Sequence, residues 1–352
     1  MIIKRTAIFF IILLLFIALG FFAYFFFFSE KKIISPLSQN TKTGKVDRVK
    51  PLDKYNFNEL KKRVFTPSKI TLDKVINDNF DFSSHLFFFT TDGKKVSGLL
   101  NLPKKSGIYP VIIQFRGYIN PENYTTGAGT IRSGEVFAKN GFITLAPDFL
   151  GYGQSASQSA DPLEERFETY TTALNLLASL SSLNQAIAAK GNNNIEADIS
   201  KIGIWGHSNG GHIALSILEI TGKDYPTVLW NPVSKPFPFS VLFFSDEAAD
   251  GGKYLRKIIA DFENEYDANL YSTANYFDWI NATIQLHQAE NDEAVPKKWS
   301  DSLYQKLKSL NKEITYFTYP GEDHDFHNGS WQTVVEKNIR FYKEQFAKKT
   351  KD

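Results

Sequence analysis

The sequence predicts an α/β protein: a mostly parallel, doubly wound sheet with an antiparallel hairpin at one edge, preceded by one transmembrane helix. Three observations carry this. From Pro110 onward short apolar runs alternate with helical stretches, the rhythm of strands buried on both faces by the helices that connect them. Phe87 to Thr91 and Val96 to Leu102 flank Asp92-Gly93-Lys94-Lys95, a hairpin signal because Asp-Gly accepts the positive φ of a tight turn. Ala7 to Phe28 is a run of about 22 apolar or aromatic positions without a charge.

At 1.5 Å per helical residue, the run from Ala7 to Phe28 is long enough for a bilayer's hydrocarbon core. Lys4 and Arg5 precede it, and Ser29-Glu30-Lys31-Lys32 follow. The positive-inside rule then puts the amino terminus in the cytoplasm and the bulk of the chain outside it, as a single-pass membrane protein. A cleaved signal peptide is the rival; Ala18-Leu19-Gly20 imitates a cleavage site, but cutting there leaves Phe21 to Phe28 as a greasy new terminus. Residues 1–28 are therefore read as a signal-anchor and residues 29–80 as a juxtamembrane linker and lead-in, polar at first and carrying Pro36 and Pro51.

Residues 81–350 are read as one α/β domain. After the hairpin, Pro110 to Phe115 reads as a strand, Ile131 to Asn140 as a helix and Phe142 to Ala146 as a strand. Leu163 to Leu180 is a long helix, Lys201 to Trp205 a strand, Asn209 to Ile220 a helix and Pro226 to Trp230 a strand. Thr283 to His287 and Glu313 to Tyr319 are strands, each followed by a helix, Trp299 to Leu310 and Trp331 to Phe346. Residues 232–281, rich in Phe, Tyr, Asp and Glu, stand outside the alternation as an insertion that is either a lid or a surface excursion.

Composition removes several classes of function. A net charge of +2 with no basic cluster excludes nucleic acid as the expected partner. With no cysteine in 352 residues, thiol catalysis, disulfides and cysteine metal sites are absent. No phosphate loop, dinucleotide fingerprint or H-E-x-x-H occurs, so no cofactor or metal is expected.

Gly206-His207-Ser208-Asn209-Gly210 fits G-x-S-x-G. The pattern alone is weak, but a strand before it and a helix after it supply the setting of a nucleophile elbow. Serine must then project from a strained turn, and glycines two positions either side remove the side chains that would collide there. A serine hydroxyl is a poor nucleophile until a base takes its proton. Of six histidines, His324 follows the last strand directly, with His327 its competitor; His207 and His212 flank the elbow, and His85 and His287 lie within strands. Glu290, Asp292 and Glu293 share the loop after strand Thr283 to His287, and spacing does not separate them as the acid that orients the base. An oxyanion hole needs two N–H donors: Asn209, next to the nucleophile, and Tyr118, in Arg116-Gly117-Tyr118 after the first parallel strand.

Taken together, these segments resemble the catalytic domain of the prolyl oligopeptidase family and the dienelactone-hydrolase-like α/β hydrolases near it. The resemblance spans about Phe82 to Phe346. It rests on Asp92-Gly93 and Gly98, Pro110, Pro147 to Ser155, the elbow, the acid loop ending at Val295-Pro296, and Pro320-Gly321 with His324-Asp325-Phe326. It implies an α/β-hydrolase fold with Ser208, Asp292 and His324 as catalytic triad, and it favours Asp292 among the three carboxylates. The implied activity is cleavage of an acyl bond in a small peptide, as a serine-type peptidase, with carboxylic ester hydrolysis the alternative. A non-catalytic membrane-tethered binding protein is the further alternative. The chain departs from the family where Arg116-Gly117-Tyr118 replaces His-Gly-Gly or Tyr-Gly-Gly, where Ala289 replaces glycine, and where the β-propeller of the peptidases has no counterpart.

Overall fold

A computed structural model describes residues 50–349. The span expected over Ala7 to Phe28 lies outside the described residues; among those described, no helix is long and apolar enough to cross a membrane.

One sheet of nine strands organises the fold, in the order β1-β2-β3-β5-β4-β6-β7-β8-β9. Its strands are β1 (Thr71–Asp78), β2 (Phe82–Thr91), β3 (Lys94–Pro103), β4 (Gly107–Phe115), β5 (Ile143–Pro147), β6 (Ile195–His207), β7 (Thr227–Trp230), β8 (Ile284–Ala289) and β9 (Ile314–Tyr319). The first three strands and the β3–β5 pair run antiparallel. All pairings from β5 through β9 are parallel.

The helices are α1 (Phe57–Lys62), α2 (Ile131–Lys139), α3 (Pro162–Ser179), α4 (Leu183–Ala189), α5 (Asn209–Thr221), α6 (Phe239–Leu242), α7 (Lys253–Glu265), α8 (Lys297–Ser309) and α9 (Trp331–Lys348). They cover both faces, as parallel strands require. Along β4, Val111, Ile113 and Phe115 enter one core with Leu174 of α3 and Leu215 of α5. Ile112 points to the other core, with Phe137 of α2 and Val334 and Tyr342 of α9. The same alternation along β6 sends Ile202 and Ile204 one way and Trp205 the other, which fixes the register because a slip of one residue would reverse every side chain.

The antiparallel edge carries the expected hairpin and is one strand wider: β1 lies outside the hairpin, paired to β2. This strand carries no sequence signal because seven of its eight residues are exposed and only Leu72 is buried, so neither alternation nor an apolar run appears. The lead-in is likewise folded from Leu52 on, with Tyr55, Phe57, Leu60 and Ile70 buried in the main core. One boundary needs correction: β6 starts six residues earlier than the expected Lys201, at Ile195, and a register shift opposite Pro110 and Val111 separates its two halves.

Candidate active site

The parallel strands end together at one rim, where open α/β sheets place their ligands. At the end of β6 the chain turns sharply into α5 through Ser208, whose φ of 56° and ψ of −120° lie outside the regions L residues prefer. Three hydrogen bonds hold the strained turn: the Ser208 N–H donates to the Trp230 carbonyl (2.9 Å), and the Ser208 carbonyl accepts from Gly211 (3.0 Å) and Val233 (2.9 Å). Its glycines are needed for close approach. A methyl group on Gly210 would lie 1.9 Å from the Phe115 carbonyl oxygen, and one on Gly206 would lie 2.5 Å from the Gly210 carbonyl oxygen.

His324 sits in the loop after β9. Its Nδ1 donates to Asp292 Oδ2 at 2.8 Å. Of the three carboxylates after β8, Asp292 alone reaches this imidazole, while Glu290 and Glu293 are exposed. The Asp292 side chain is fully buried, and its other oxygen accepts the main-chain N–H groups of Ala294 (2.9 Å) and Val295 (2.7 Å). Burial by itself depresses the His324 pKa; the hydrogen bond and charge of Asp292, with Asp325 and Glu293 behind it, outweigh that and hold it above the ordinary 6.5. His327 is exposed and bonded to Asp323 instead.

Ser208 and His324 line the same cavity, of about 730 Å³, with Arg116, Tyr118 and Asn209. The Ser208 hydroxyl makes no hydrogen bond among the described residues. Gly117 lies directly against the serine: a methyl group there would sit 3.0 Å from Ser208 Cβ. The Tyr118 N–H has no acceptor among the described residues. Asn209 is the first residue of α5, where an N–H has no intrahelical partner and the helix dipole is positive.

Sequence reasoning missed the parts that hold His324. His207 packs its ring on that of His324, 4.6 Å between centroids, and its Nε2 donates to the His324 carbonyl at 3.0 Å. Burial, then the neighbouring His324, lower the His207 pKa to about 4. Asn231 donates to the same carbonyl at 2.6 Å and accepts from the Ala289 N–H at 2.7 Å, so one side chain ties the His324 loop to the end of β8, from which the Asp292 loop leaves. The only signal at Asn231 is an Asn-Pro step closing β7, which marks a turn and nothing more. Phe326 completes the loop at φ 59°. A left-handed non-glycine costs about 1–2 kcal/mol, but full burial of a phenylalanine contributes about 1.5–3 kcal/mol, and Phe326 is wedged between Trp230 and Tyr319 at 5.3 and 5.2 Å. Burial wins. His212 also lines the cavity, with its Nε2 2.8 Å from the Tyr170 hydroxyl. His287 is buried, its Nδ1 2.8 Å from the Tyr319 hydroxyl.

Residues 96–349 match the dienelactone hydrolase family. The chain is 27% identical over 254 residues to the uncharacterized peptidase YtmA of Bacillus subtilis, covering 69% of this chain and 88% of that one. S-formylglutathione hydrolase of Arabidopsis thaliana is 30% identical over 138 residues, 38% of this chain and 44% of its own. Acetyl xylan esterase 1 from Thermoanaerobacterium superposes with a TM-score of 0.55 at 16% identity, covering 83% of this chain and 93% of the esterase. A puromycin-hydrolyzing peptidase of Mycobacterium tuberculosis superposes at 0.52 and 18% identity over 74% of this chain, but only 39% of the peptidase. At such identities the two structures establish the α/β-hydrolase fold. The family match covers the loops that carry Asp292 and His324, the Ser208 turn and the strands between them, and on that extent the chain belongs to the dienelactone hydrolase family, as a hydrolase of the α/β-hydrolase fold.

Proposed function

We propose that the protein is a serine hydrolase that cleaves an acyl bond through an acyl-enzyme. Ser208 attacks the carbonyl carbon and His324 takes the hydroxyl proton. Asp292 holds the imidazole in the tautomer with Nδ1–H, leaving Nε2 free as base, and stabilises the imidazolium that forms. The Asn209 and Tyr118 N–H groups receive the developing oxyanion. His324 then protonates the leaving group, and water activated by the same imidazole releases the acid. The observation that carries this reading is the 2.8 Å His324–Asp292 bond, with a strained serine in the same cavity.

A cavity of about 730 Å³ fits a ligand of drug size. The first substrate reading is a short peptide or aminoacyl amide, supported by the similarity to a relative called a peptidase over 88% of its length. Carboxylic esters are the second, and a structural neighbour with the same fold is an acetyl xylan esterase. Residues 232–281 act as a lid in this reading: Ser240, Val241, Phe244 and Leu255 from that segment line the cavity. The apolar run Ala7 to Phe28 anchors the enzyme as a single-pass protein, with its catalytic domain outside the cytoplasm.

Labelling with a fluorophosphonate probe tests the chemistry. Covalent labelling of the wild type that disappears in Ser208→Ala is expected; a folded wild type that stays unlabelled would end the serine-hydrolase reading. A panel of peptidyl amides against aryl esters decides the substrate. Recovery of the full chain in the membrane fraction, and its release on deleting residues 1–28, is expected of the anchor.

A further inference from the structure

The oxyanion loop is where this chain departs from the pattern it otherwise resembles, and the residue that departs is buried. Arg116 is 6% exposed, yet it has no carboxylate partner among the described residues. Its guanidinium lies 4.0 Å from the ring centre of Tyr152 and 4.5 Å from that of Tyr124, an arrangement that suits a flat, weakly hydrated cation. Two donors are used. Nη1 donates to the Gly117 carbonyl at 2.8 Å, and Nη2 to the Asp148 carbonyl at 3.1 Å.

Asp148 is itself fixed. It is fully buried, and its carboxylate accepts from Ser97 Oγ (2.5 Å), the Tyr124 hydroxyl (2.7 Å), Thr126 Oγ1 (3.0 Å) and the Gly127 N–H (3.1 Å). Arg116 is thus braced against a rigid loop through Nη2 and holds the Gly117 carbonyl through Nη1. What it braces matters because residue 117 is pressed against the serine: a Cβ there would lie 3.0 Å from Ser208 Cβ, tighter than an ordinary contact. Glycine there gives close approach but leaves the following peptide free to rotate.

A trans peptide points its C=O and N–H in opposite directions. Holding the Gly117 carbonyl toward the guanidinium therefore turns the Tyr118 N–H the other way. Rotating that peptide by half a turn would present a carbonyl in place of a donor, and a carbonyl repels an oxyanion. We propose that Arg116 is the positioning residue of the oxyanion hole, setting the Gly117–Tyr118 peptide plane so that the Tyr118 N–H faces the substrate carbonyl oxygen at Ser208. Lysine cannot do this, because a single ammonium cannot bond both carbonyls and stack flat on two rings.

This inference rests on the serine-hydrolase reading, and the experiment separates the two. Wild type, Arg116→Lys, Arg116→Met, Tyr118→Pro and the Arg116→Met/Tyr118→Pro double variant are compared on an aryl acetate. A trifluoromethyl ketone, which forms a tetrahedral oxyanion on Ser208, is titrated as inhibitor, and folding is followed by circular dichroism and Tm. Removing one oxyanion donor costs about 10²–10³ in kcat. Arg116→Met is expected to lose kcat on that scale with KM changed less than about threefold, and ketone affinity is expected to fall in proportion to kcat/KM. Arg116→Lys is not expected to restore either. Since Arg116 acts through the Tyr118 N–H, the double variant should be no slower than Tyr118→Pro alone. Additive losses, or ketone affinity unchanged while kcat falls, would overturn the proposal. Should Tyr118→Pro fail to fold, the proportionality in Arg116→Met decides alone. A wild type that neither labels with phosphonate nor binds the ketone refutes the underlying hydrolase reading, whereas a labelled wild type with a fully active Arg116→Met refutes only this inference.

Discussion

Exchanging Asp292 for asparagine probes the relay with almost no change of shape. Two N–H groups, of Ala294 and Val295, donate to Oδ1, so the amide oxygen of the asparagine is held at that position. Its NH₂ group must then take the place of Oδ2, 2.8 Å from His324 Nδ1. A donor facing Nδ1 forces the proton onto Nε2, the nitrogen that should receive it from Ser208. In a serine–histidine–aspartate relay this wrong tautomer lowers kcat by about 10⁴; at 1.36 kcal/mol per decade the barrier rises by about 5.4 kcal/mol. The pH profile supplies an independent sign. Burial lowers the His324 pKa and Asp292 is the first of the groups that raise it above 6.5. Without that carboxylate, burial dominates, so the acid limb of kcat/KM moves from above 6.5 to below it. Steady-state rates of Asp292→Asn from pH 5 to 9, with Tm as a control for folding, provide the measurement. A variant within tenfold of wild type, or an acid limb that moves upward, would refute the assignment of Asp292.

Gly210→Ala should abolish phosphonate labelling, because its methyl group would lie 1.9 Å from the Phe115 carbonyl oxygen at the root of the oxyanion loop; a labelling rate within threefold of wild type would contradict this. Stability should fall in acid. Burial lowers the pKa of His207 to about 4 and of His287 to about 3, so the unfolded chain takes up protons below 6.5 that these residues refuse in the fold. Linkage gives a loss of about 2 kcal/mol for each residue between pH 7 and pH 5, and urea unfolding of His287→Gln should show a pH dependence smaller by that amount. Glu219 acts in the opposite direction. It is fully buried with neither carboxyl oxygen bonded among the described residues, and burial, reinforced by Asp278, raises its pKa well above 4.5. The unfolded chain then releases a proton that the fold retains, so stability falls as pH rises above 4.5. Glu219→Leu should stabilise the protein by on the order of 1–3 kcal/mol at pH 8, and a variant no more stable than wild type in urea at that pH would count against it.

What was legible in the sequence was local. Ser208 stood out because strand, glycine turn and helix are adjacent in the chain, and their steric requirement is written in Gly206 and Gly210. Strands β5, β7 and β8 and the second halves of β4 and β6 were legible because burial on both faces leaves apolar runs such as Val111 to Ile113. Asp292 was not separable from Glu290 and Glu293 by spacing, since the choice depends on which side chain turns inward to meet two N–H groups and an imidazole. Strand β1 was silent for the opposite reason: its stability comes from pairing with β2, and seven exposed positions leave no pattern to read. Arg116 was visible only as a departure from a motif. Its purpose needed the rings of Tyr124 and Tyr152 and the Asp148 carbonyl, the nearest of them eight residues away in the chain.

The contribution of Asn231 shows why the base loop is placed by tertiary contacts. Three loops must meet at the rim: the elbow after β6, the acid loop after β8 and the histidine loop after β9. Parallel pairing brings the strand ends level, with His207 opposite Trp230, Trp230 opposite His287 and Ala289 opposite Tyr319, but it does not orient the loops that leave them. Asn231 does so at the end of the strand between elbow and acid. Its N–H donates to the His287 carbonyl at 2.9 Å, its side-chain oxygen takes the Ala289 N–H, and its side-chain NH₂ takes the His324 carbonyl. A φ of 43° allows all three at once, and asparagine is among the few residues besides glycine that tolerate that conformation. Aspartate would keep the acceptor but set a negative oxygen against the His324 carbonyl, and alanine would keep neither. His324 is therefore held at both ends, by Asp292 through its ring and by Asn231 and His207 through its main chain, and the proposed proton transfer from Ser208 requires both.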